Sequence, residues 1–512
     1  MQMARYKVVD RSPRFLPIIL EAQLMVGSFE HALDVLIDEE LDLAAFDRWY
    51  CNDETGAPAY DPAVMLKIIL LAYSKGVVSS RAIERLCQEN VVFMAISGDS
   101  APQFTTIAKF VRSVGGDVAE VFVRVLLVCD RLDLIGRQMF AIDGVKLPSN
   151  ADKRRSGTHA ELLHDAQRME TAVEKMLEAH REDDEAIKPR TSTAQRIERL
   201  QGEARRIRQF LATHAERRSA KGTVRKSNVT DNDSAKMATQ KGVIQGYTAV
   251  AAVDERAQII VAAHALGSGS EQAVLLPMVD ETAPLRTPET IVTADAGYHS
   301  EENLRGLCER GVPAMIADGL MRKRDPRFAG QARHKARPDP LYDKTAKKTI
   351  VKFRPSDFSF DPVAGTCLCP AGKQLYSTGS ACVINGRKYH KFRGAKGVCG
   401  PCELRARCLR YPERSPTRQV AFFEKSPAAS PYTQIMRQAI DSERGKALYG
   451  RRIATVEPVF ANLRYNKRLD RFTLRTQPKV NTQWHLYCLV HNIEKLAHHG
   501  YGGKAARSTA RK

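Results

Sequence analysis

The sequence predicts a mixed α/β protein with a helical front. Two apolar runs rich in β-branched residues each deliver an aspartate followed by a turn glycine: Asp143 precedes Gly144, and Asp295 lies two residues before Gly297. Strands that end in acids are typical of a sheet that presents carboxylates at one edge. An aspartate before glycine is also a common turn former, so each acid alone leaves both interpretations open.

Residues 1–135 are predicted to form the helical N-terminal domain, because cap residues recur there at short intervals. Gly76 is expected to end the second helix, which is strongly apolar. Glu120 completes a capping-box pattern at the start of the last helix. The predicted helix starts are Ser28, Asp61, Ser80, Thr105 and Asp117.

Basic residues suggest a nucleic-acid partner for this domain. The chain has 79 Lys and Arg against 59 Asp and Glu, a net charge of +20, spread over every segment. Such a charge favours a polyanion, most simply DNA, although a solubilising surface is the alternative. Lys109 and Arg112 share a face of a short helix after a polar loop, as in helix-turn-helix docking, but an ordinary solvated face has the same pattern.

The strand patterns occupy residues 136–155 and 225–320, and residues 156–224 between them differ in character. They are highly charged, with apolar residues spaced alternately by three and four positions on both sides of Pro189. This pattern predicts an inserted coiled-coil hairpin of two helices. Its apolar stripe is expected to pack within the hairpin, and a dimer contact is the alternative.

The predicted element order is strand, hairpin, helix, strand, helix, strand, which is compatible with a ribonuclease-H-like mixed sheet. In that arrangement the first and fourth strands are adjacent, so Asp143 and Asp295 would be neighbours. Asp231, Asp233 and Asp254 are competing acids, but they lie in turn-rich sequence and are interpreted as turn formers.

Residues 321–445 are predicted to form a basic linker and a cysteine-rich, zinc-ribbon-like insertion. Six of the eleven cysteines crowd between Cys367 and Cys408, and a C-x-x-C pair can place two thiolates on one tetrahedral metal. Reduced, unligated thiols are the alternative, since His390 leaves the fourth ligand open. The candidate zinc ligands are Cys367, Cys369, Cys399, Cys402 and Cys408.

Residues 446–495 are predicted to carry a third acid, Glu457, on a helix that completes the core. Pro458 requires that helix to begin near the proline or to kink there. Arg464 follows Glu457 by seven positions and is expected on the same helical face. The basic tail, residues 496–512, is predicted to be disordered.

No apolar run is long enough to span a bilayer, and the N-terminal residues lack the pattern of a signal peptide. We therefore expect a cytoplasmic protein without a membrane partner.

The acidic segments resemble the three catalytic blocks of bacterial insertion-sequence transposases of the DDE type, and the wider pattern is similar to insertion-sequence group 1182. The resemblance implies metal-dependent DNA strand cleavage and transfer, with Mg²⁺ or Mn²⁺ as cofactor. The matching segments are 141–144 with Asp143, 293–298 with Asp295, and 456–460 with Glu457 and Arg464.

By this resemblance, Asp143 bridges two metal ions while Asp295 and Glu457 each hold one. Water first frees a 3′-hydroxyl at the element end, and that hydroxyl then attacks the target DNA. The resemblance also implies DNA contacts from Tyr449, Arg452 and Arg464, although Tyr449 and Arg452 lie one residue further upstream of Glu457 than in the family pattern. Tyr298 is a candidate for stacking on a displaced base, with a packed aromatic as the alternative.

The expected partners are double-stranded element ends and target DNA, bound by at least a homodimer in a nucleoid-associated complex. Two other functions share the same residues. The first is a ribonuclease-H-like nuclease that cuts without joining, and the second is a domesticated, zinc-bearing DNA-binding protein.

Overall fold

The computed structural model divides into two compact units. The first comprises Met1–Gly319 and Met436–Lys512, and the second comprises Leu320–Ile435. The structure describes residues 17–50, 58–182, 191–218, 222–239, 242–330, 352–384, 387–423 and 430–503.

The described elements form a run of helices at the front, a mixed region of strands and helices, and a final group of helices. The helices are α1 (Phe29–Glu40), α2 (Pro62–Ser74), α3 (Ser80–Glu89), α4 (Val91–Ser97), α5 (Phe104–Ser113), α6 (Asp117–Arg131), α7 (His159–Glu182), α8 (Thr191–Thr213), α9 (Leu275–Glu281), α10 (Glu301–Glu309), α11 (Met321–Arg324), α12 (Lys396–Cys399), α13 (Arg405–Cys408), α14 (Pro431–Asp441), α15 (Glu443–Ala461) and α16 (Gln477–His498). The strands are β1 (Met139–Pro148), β2 (Ser156–Gly157), β3 (Ser227–Asn228), β4 (Ala235–Thr239), β5 (Gly242–Asp254), β6 (Ile260–Leu266), β7 (Ile291–Ala294), β8 (Ala314–Ile316), β9 (Ser359–Asp361), β10 (Thr366–Leu368), β11 (Gln374–Ile384), β12 (Arg387–Arg393) and β13 (Gln419–Phe423).

A six-stranded mixed sheet forms the centre of the first unit. Its order is β4-β5-β1-β7-β8, and β6 pairs with β5 beside β4. Strand β1 is antiparallel to β5 and parallel to β7, while β7 is parallel to β8. The chain is therefore a mixed α/β protein, as predicted. The first and fourth predicted strands, β1 and β7, lie side by side.

Strand β1 continues beyond the end that the sequence predicted. Asp143 pairs with Ala251 and Gly144 with Val250, in the middle of a ladder that runs to Pro148. The predicted glycine turn after Asp143 is wrong, because the long partner strand β5 pairs with β1 over its whole length. Asp295 directly follows β7, as expected.

The front of the chain is helical, with caps close to those predicted. Ser28 accepts a hydrogen bond from His31 N, and Asp61 accepts one from Ala63 N. Helix α4 was not predicted; Asn90 caps it. The predicted capping box at Asp117 is wrong, because the cap position of α6 is Gly116 and Asp117 is a buried residue that pairs with Arg48.

The inserted segment contains α7 and α8, which pack against each other. Glu170 of α7 accepts two hydrogen bonds from Arg208 of α8, at 2.7 and 2.6 Å. The predicted apolar stripe therefore packs between these two helices. Pro189 lies outside the described residues. The buried cluster between the helices is Leu162, Ala166, Ala204, Ile207 and Phe210.

Most residues of helix α16, near the end of the chain, are buried. The sequence patterns did not predict it as a separate helix. It packs on β6 and on the front helices α1, α2 and α6. The indole Nε1 of Trp484 donates to Val250 O of β5 at 3.0 Å. Order continues beyond α16 into the predicted disordered tail, since Tyr501 is buried. Residues 504–512 lie outside the described residues.

The acids interpreted as turn formers have additional partners. Asp231 accepts from the hydroxyl of Tyr247 at 2.9 Å, and Asp233 accepts from Gln477 N at the start of α16. Asp254 is fully buried and accepts from the backbone N–H groups of residues 136, 137 and 256. Asp233 and Asp254 therefore join segments that are distant in the chain.

The second unit contains an antiparallel sheet of order β13-β12-β11-β10-β9. Its small core is formed by Phe358, Cys367, Leu375, Phe392 and Val420. The predicted basic linker begins with the short helix α11, and residues 331–351 are not described. In neither unit is a described helix long and apolar enough to cross a membrane.

Candidate active site

Asp143 and Asp295 come together at the centre of the main sheet. Ile142 of β1 pairs with Ala294 of β7 in parallel register, so the two acids directly follow a paired position. The Oδ1 of Asp295 accepts from Gly297 N at 2.8 Å and caps the 3₁₀ turn Ala296–Tyr298. Two of the three predicted catalytic acids are thus neighbours on adjacent strands.

Asp143 is mostly buried, and its neighbours shift the pKa of its carboxyl in opposite directions. Burial raises the pKa of its carboxyl, and the charge of Asp295 raises it further. Arg452 and the backbone N–H of Gly144 lower that pKa, but the net direction is upward. Asp143 is therefore a carboxylate whose charge depends on a nearby cation.

Arg452 of α15 supplies that cation. Its Nη1 lies 2.6 Å from Oδ2 of Asp143, and its guanidinium stands 5.5 Å from the ring centre of Tyr449. Burial lowers the pKa of Arg452, but Asp143 and other acidic neighbours raise it above its ordinary value. The predicted DNA contacts Tyr449 and Arg452 therefore lie beside the acids, where Arg452 binds Asp143.

Glu271 is a further acid at this site that the sequence analysis did not identify. It immediately precedes the 3₁₀ turn Gln272–Val274, and its Oε2 accepts from the hydroxyl of Tyr298 at 3.2 Å. Burial raises the pKa of Glu271, and the charges of Asp295 and Asp143 raise it further. The sequence contains no signal for Glu271, because it does not end a strand. Its place beside the acids depends on the path of the loop between β6 and α9.

Gly144 makes room for Glu271. A Cβ at this position would lie 2.6 Å from Glu271 Oε2 and 3.1 Å from Cγ2 of Thr248. The glycine that the sequence suggested as a turn former is therefore a point of close approach inside β1.

Tyr298 is fully buried, so its ring is not available to stack on a DNA base in this structure. Burial and the charge of Glu271 raise the pKa of its phenol. Tyr298 is therefore a packed aromatic, which was the alternative to base stacking, and its hydroxyl donates to Glu271.

Glu457 is exposed on α15 and does not join the other two acids in a ligand set. Within the described ranges, no group of three or more His, Cys, Asp or Glu side chains is arranged to hold a metal ion. The structure therefore brings Asp143 and Asp295 together, and the role of Glu457 as the third acid stays a prediction.

Pro458 lies inside α15, so the first of the two predicted alternatives, a helix that begins near the proline, is wrong, and a kink there stays a prediction. Proline lacks the N–H that would bond Ala454 O. The side-chain amide of Gln258 donates to that carbonyl at 3.3 Å. The Gln258 amide thus replaces the missing N–H of Pro458 as the donor to Ala454 O, so the helix can contain the proline.

The remaining basic candidates lie on two helical segments. Lys109 and Arg112 are exposed on α5, where Arg112 Nε donates to Ala108 O of its own helix at 3.0 Å. Arg464 lies in the π-helical turn Asn462–Asn466 after α15. The path from Glu457 to Arg464 therefore runs through a wider π turn, and their shared helical face stays a prediction.

The candidate zinc ligands separate into two groups. Cys367 is buried in the small core of the second unit. One cavity is bordered by the other four, Cys369, Cys399, Cys402 and Cys408.

Comparisons with protein families gave two matches. Residues 368–497 match the model described as "Transposase DDE domain", and residues 19–113 match "Transposase domain (DUF772)". No curated protein and no solved structure gave a match. Both matched segments are transposase domains, which supports a DDE transposase acting on DNA.

Proposed function

We propose that the protein is a DNA transposase that binds the ends of a mobile element, cuts the DNA strands there and transfers them into target DNA. The observation that carries this proposal is the pair of acids, Asp143 and Asp295, on adjacent parallel strands. The two transposase-domain matches, over residues 19–113 and 368–497, support a transposase on separate grounds, since neither segment contains these two acids.

The topology of the main sheet supports a ribonuclease-H-like catalytic core in this proposal. Strand β1 lies between antiparallel β5 and parallel β7, with β6 and β8 outside them. Such a core requires the first and fourth strands to be adjacent, and we propose that residues 136–155 and 225–320 form it. Residues 446–495 complete it, and residues 156–224 are proposed as an insertion.

DDE transposases generally use Mg²⁺ or Mn²⁺. Asp143 and Asp295 fit such an ion, since adjacent carboxylates are suitable oxygen ligands. Glu457 remains the proposed third acid because of its sequence context, and it lies within the segment that matches the transposase DDE domain. We propose that Asp143 and Asp295 are the two carboxylates that would hold such an ion, and we assign no reaction step to it.

DNA is the proposed partner at two places. The helical front, residues 1–135, would bind element ends through Lys109 and Arg112. Tyr449 and Arg464 would contact DNA near the acids. The net charge of +20 favours this partner through counterion release. Joining two ends requires at least two active sites, so we propose a homodimer or larger assembly at the nucleoid.

Transfer of labelled DNA tests the proposal. Purified protein with Mg²⁺ is incubated with DNA from the flanks of its own gene and a supercoiled target. Wild type is expected to nick the ends and join them, whereas Asp295→Asn is expected to bind without cutting. Asp165→Asn is a matched control, because Asp165 lies on α7, outside the proposed DNA-binding residues, and its ion pair with Arg168 is exposed.

The two alternative functions give different results. Cutting without joining would identify a nuclease. Binding without cutting by the wild type would identify a DNA-binding protein and would overturn the proposal.

A further inference from the structure

Four cysteines of the second unit border one small cavity. Its volume is about 30 Å³, which is the space taken by a single water or ion. Arg405, Arg418 and Leu375 also border it. The cysteines are Cys369, Cys399, Cys402 and Cys408.

The four residues lie in one tight turn, at the ends of two short helices and in the loop between those helices. Cys369 lies in a tight turn after β10, where its N–H donates to Lys373 O and its carbonyl accepts from Gly372 N, both at 2.8 Å. Cys399 ends α12, and Cys408 ends α13. Cys402 lies between them, and its carbonyl accepts from Arg405 N at 3.0 Å. Thiols presented from separate tight turns are typical of structural zinc sites.

Two arginines fix the backbone of these turns. Arg405 Nη1 donates to Cys399 O at 2.8 Å, and Arg418 Nη1 donates to Cys408 O at 3.1 Å. The Nε of Arg418 is buried without a partner among the described residues. Cations at this position favour the thiolate form that metals bind. They would also offset the negative charge of a four-thiolate site.

Two neighbouring cysteines are excluded by their positions. Cys367 is fully buried in the apolar core, and burial raises the pKa of its thiol to about 11. Strand β10 ends at Leu368, so Cys369 turns out of the strand while Cys367 remains in it. Cys382 of β11 pairs with Tyr389 of β12 and does not border the cavity. The C-x-C motif thus supplies one ligand and one core residue.

His390, the histidine that left the fourth ligand open in the sequence, packs elsewhere. Its ring centre lies 5.4 Å from that of Phe360. Four cysteines therefore remain as the donor set.

We propose that Cys369, Cys399, Cys402 and Cys408 form a tetrathiolate site for one structural Zn²⁺. In the described chain no three such side chains are already at coordinating positions, so the thiols must turn into the cavity as they lose their protons. Binding replaces the four S–H bonds with four Zn–S bonds and releases four protons. The small core of this unit gives the ion a structural purpose, because small cores often need a metal.

The metal content of the full-length protein tests this site. Protein purified with Zn²⁺ is expected to hold about one equivalent after gel filtration. Cys402→Ser is expected to lose it, whereas the matched control Cys382→Ser retains it. Elemental analysis gives the metal content, and circular dichroism reports whether each variant folds.

Cobalt provides a second measurement that needs no variant. Co²⁺-loaded wild type is expected to show the sulfur-to-cobalt charge-transfer intensity of four thiolates. Fewer than four thiolates, zinc retained by folded Cys402→Ser, or wild type without bound metal would each overturn the proposal. These readouts do not involve DNA, so their outcome is separate from that of the transposase proposal.

Discussion

Arg452 and Asp143 are 309 positions apart in the chain, and their side chains meet at 2.6 Å. The pair joins helix α15 to the central strand β1. The arginine side chain is 9% exposed and the aspartate side chain 24%, so solvent screens their attraction weakly.

Removing this arginine should destabilise the fold. We expect Arg452→Met to lower the free energy of unfolding by about 3 kcal/mol, because Asp143 is left buried beside Asp295 without its cation. In an Asp143→Asn background the same change should cost much less. Urea unfolding measures both. Arg451→Met is the matched control: Arg451 pairs with Glu255 at 2.9 Å but is 47% exposed, so its loss should cost less than about 1 kcal/mol.

Equal losses from Arg452→Met in the two backgrounds would show that the arginine contributes by packing alone.

Glu457 and Glu271 are expected to differ in what they contribute. Glu457→Gln should abolish DNA cleavage with a change in stability of less than about 0.5 kcal/mol, since the side chain is exposed. Glu271→Gln should reduce cleavage less, because glutamine can still accept from Tyr298. Cleavage of labelled ends and urea unfolding give the two readouts. Full cleavage by Glu457→Gln, with loss in Glu271→Gln, would make Glu271 the third acid.

His491 should make stability depend on pH. It is buried as a neutral ring that bonds Gln258 O at 2.9 Å and Asn462 Nδ2 at 3.1 Å, and burial lowers its pKa from 6.5 to about 4. The unfolded chain therefore binds a proton at a higher pH than the folded chain does. Stability is present above the unfolded pKa of 6.5 and is lost as pH falls towards the folded pKa.

Between pH 7 and pH 5 this loss should amount to about 2 kcal/mol. Urea unfolding at both values measures the difference in unfolding free energy. His491→Gln should remove this contribution of about 2 kcal/mol, whereas His485, whose pKa burial also lowers from 6.5 to about 4, should continue to contribute a similar amount. An unchanged slope in that variant would place the pH dependence at other groups.

Gln258 should be coupled to Pro458. Gln258→Asn keeps a side chain that tolerates the positive φ of this position, +60°, but it is too short to reach Ala454 O. We expect a loss of about 0.5–1 kcal/mol. With Pro458→Ala present, the helix regains its own N–H donor and that part of the loss should disappear. A double-mutant cycle by urea unfolding measures the coupling, and strictly additive effects would refute it.

Local signals in the sequence predicted the parts of the fold that depend on local chemistry. Ser28 and Asp61 cap their helices because a side-chain oxygen near a helix start has only nearby N–H groups to bond. The adjacency of Asp143 and Asp295 followed from element order, since few arrangements of these strands are possible.

Other features depend on partners distant in the chain. Asp143 lies inside β1 because β5 continues past it, and Pro458 lies inside α15 because Gln258 bonds the carbonyl it frees. Glu271 reaches the acids only because Gly144 leaves space for it. Periodicity and spacing contain none of this information, so these features could not be read from the sequence.

The position of α16 has a consequence for synthesis on the ribosome. This last helix completes the core against both β6 and the front helices, so the emerging chain lacks a shared core until residues near His498 have left the exit tunnel. A chain cut short before α16 would lack the helix that packs on both β6 and the front helices, although β1 and β7, which position the acid pair, precede that point.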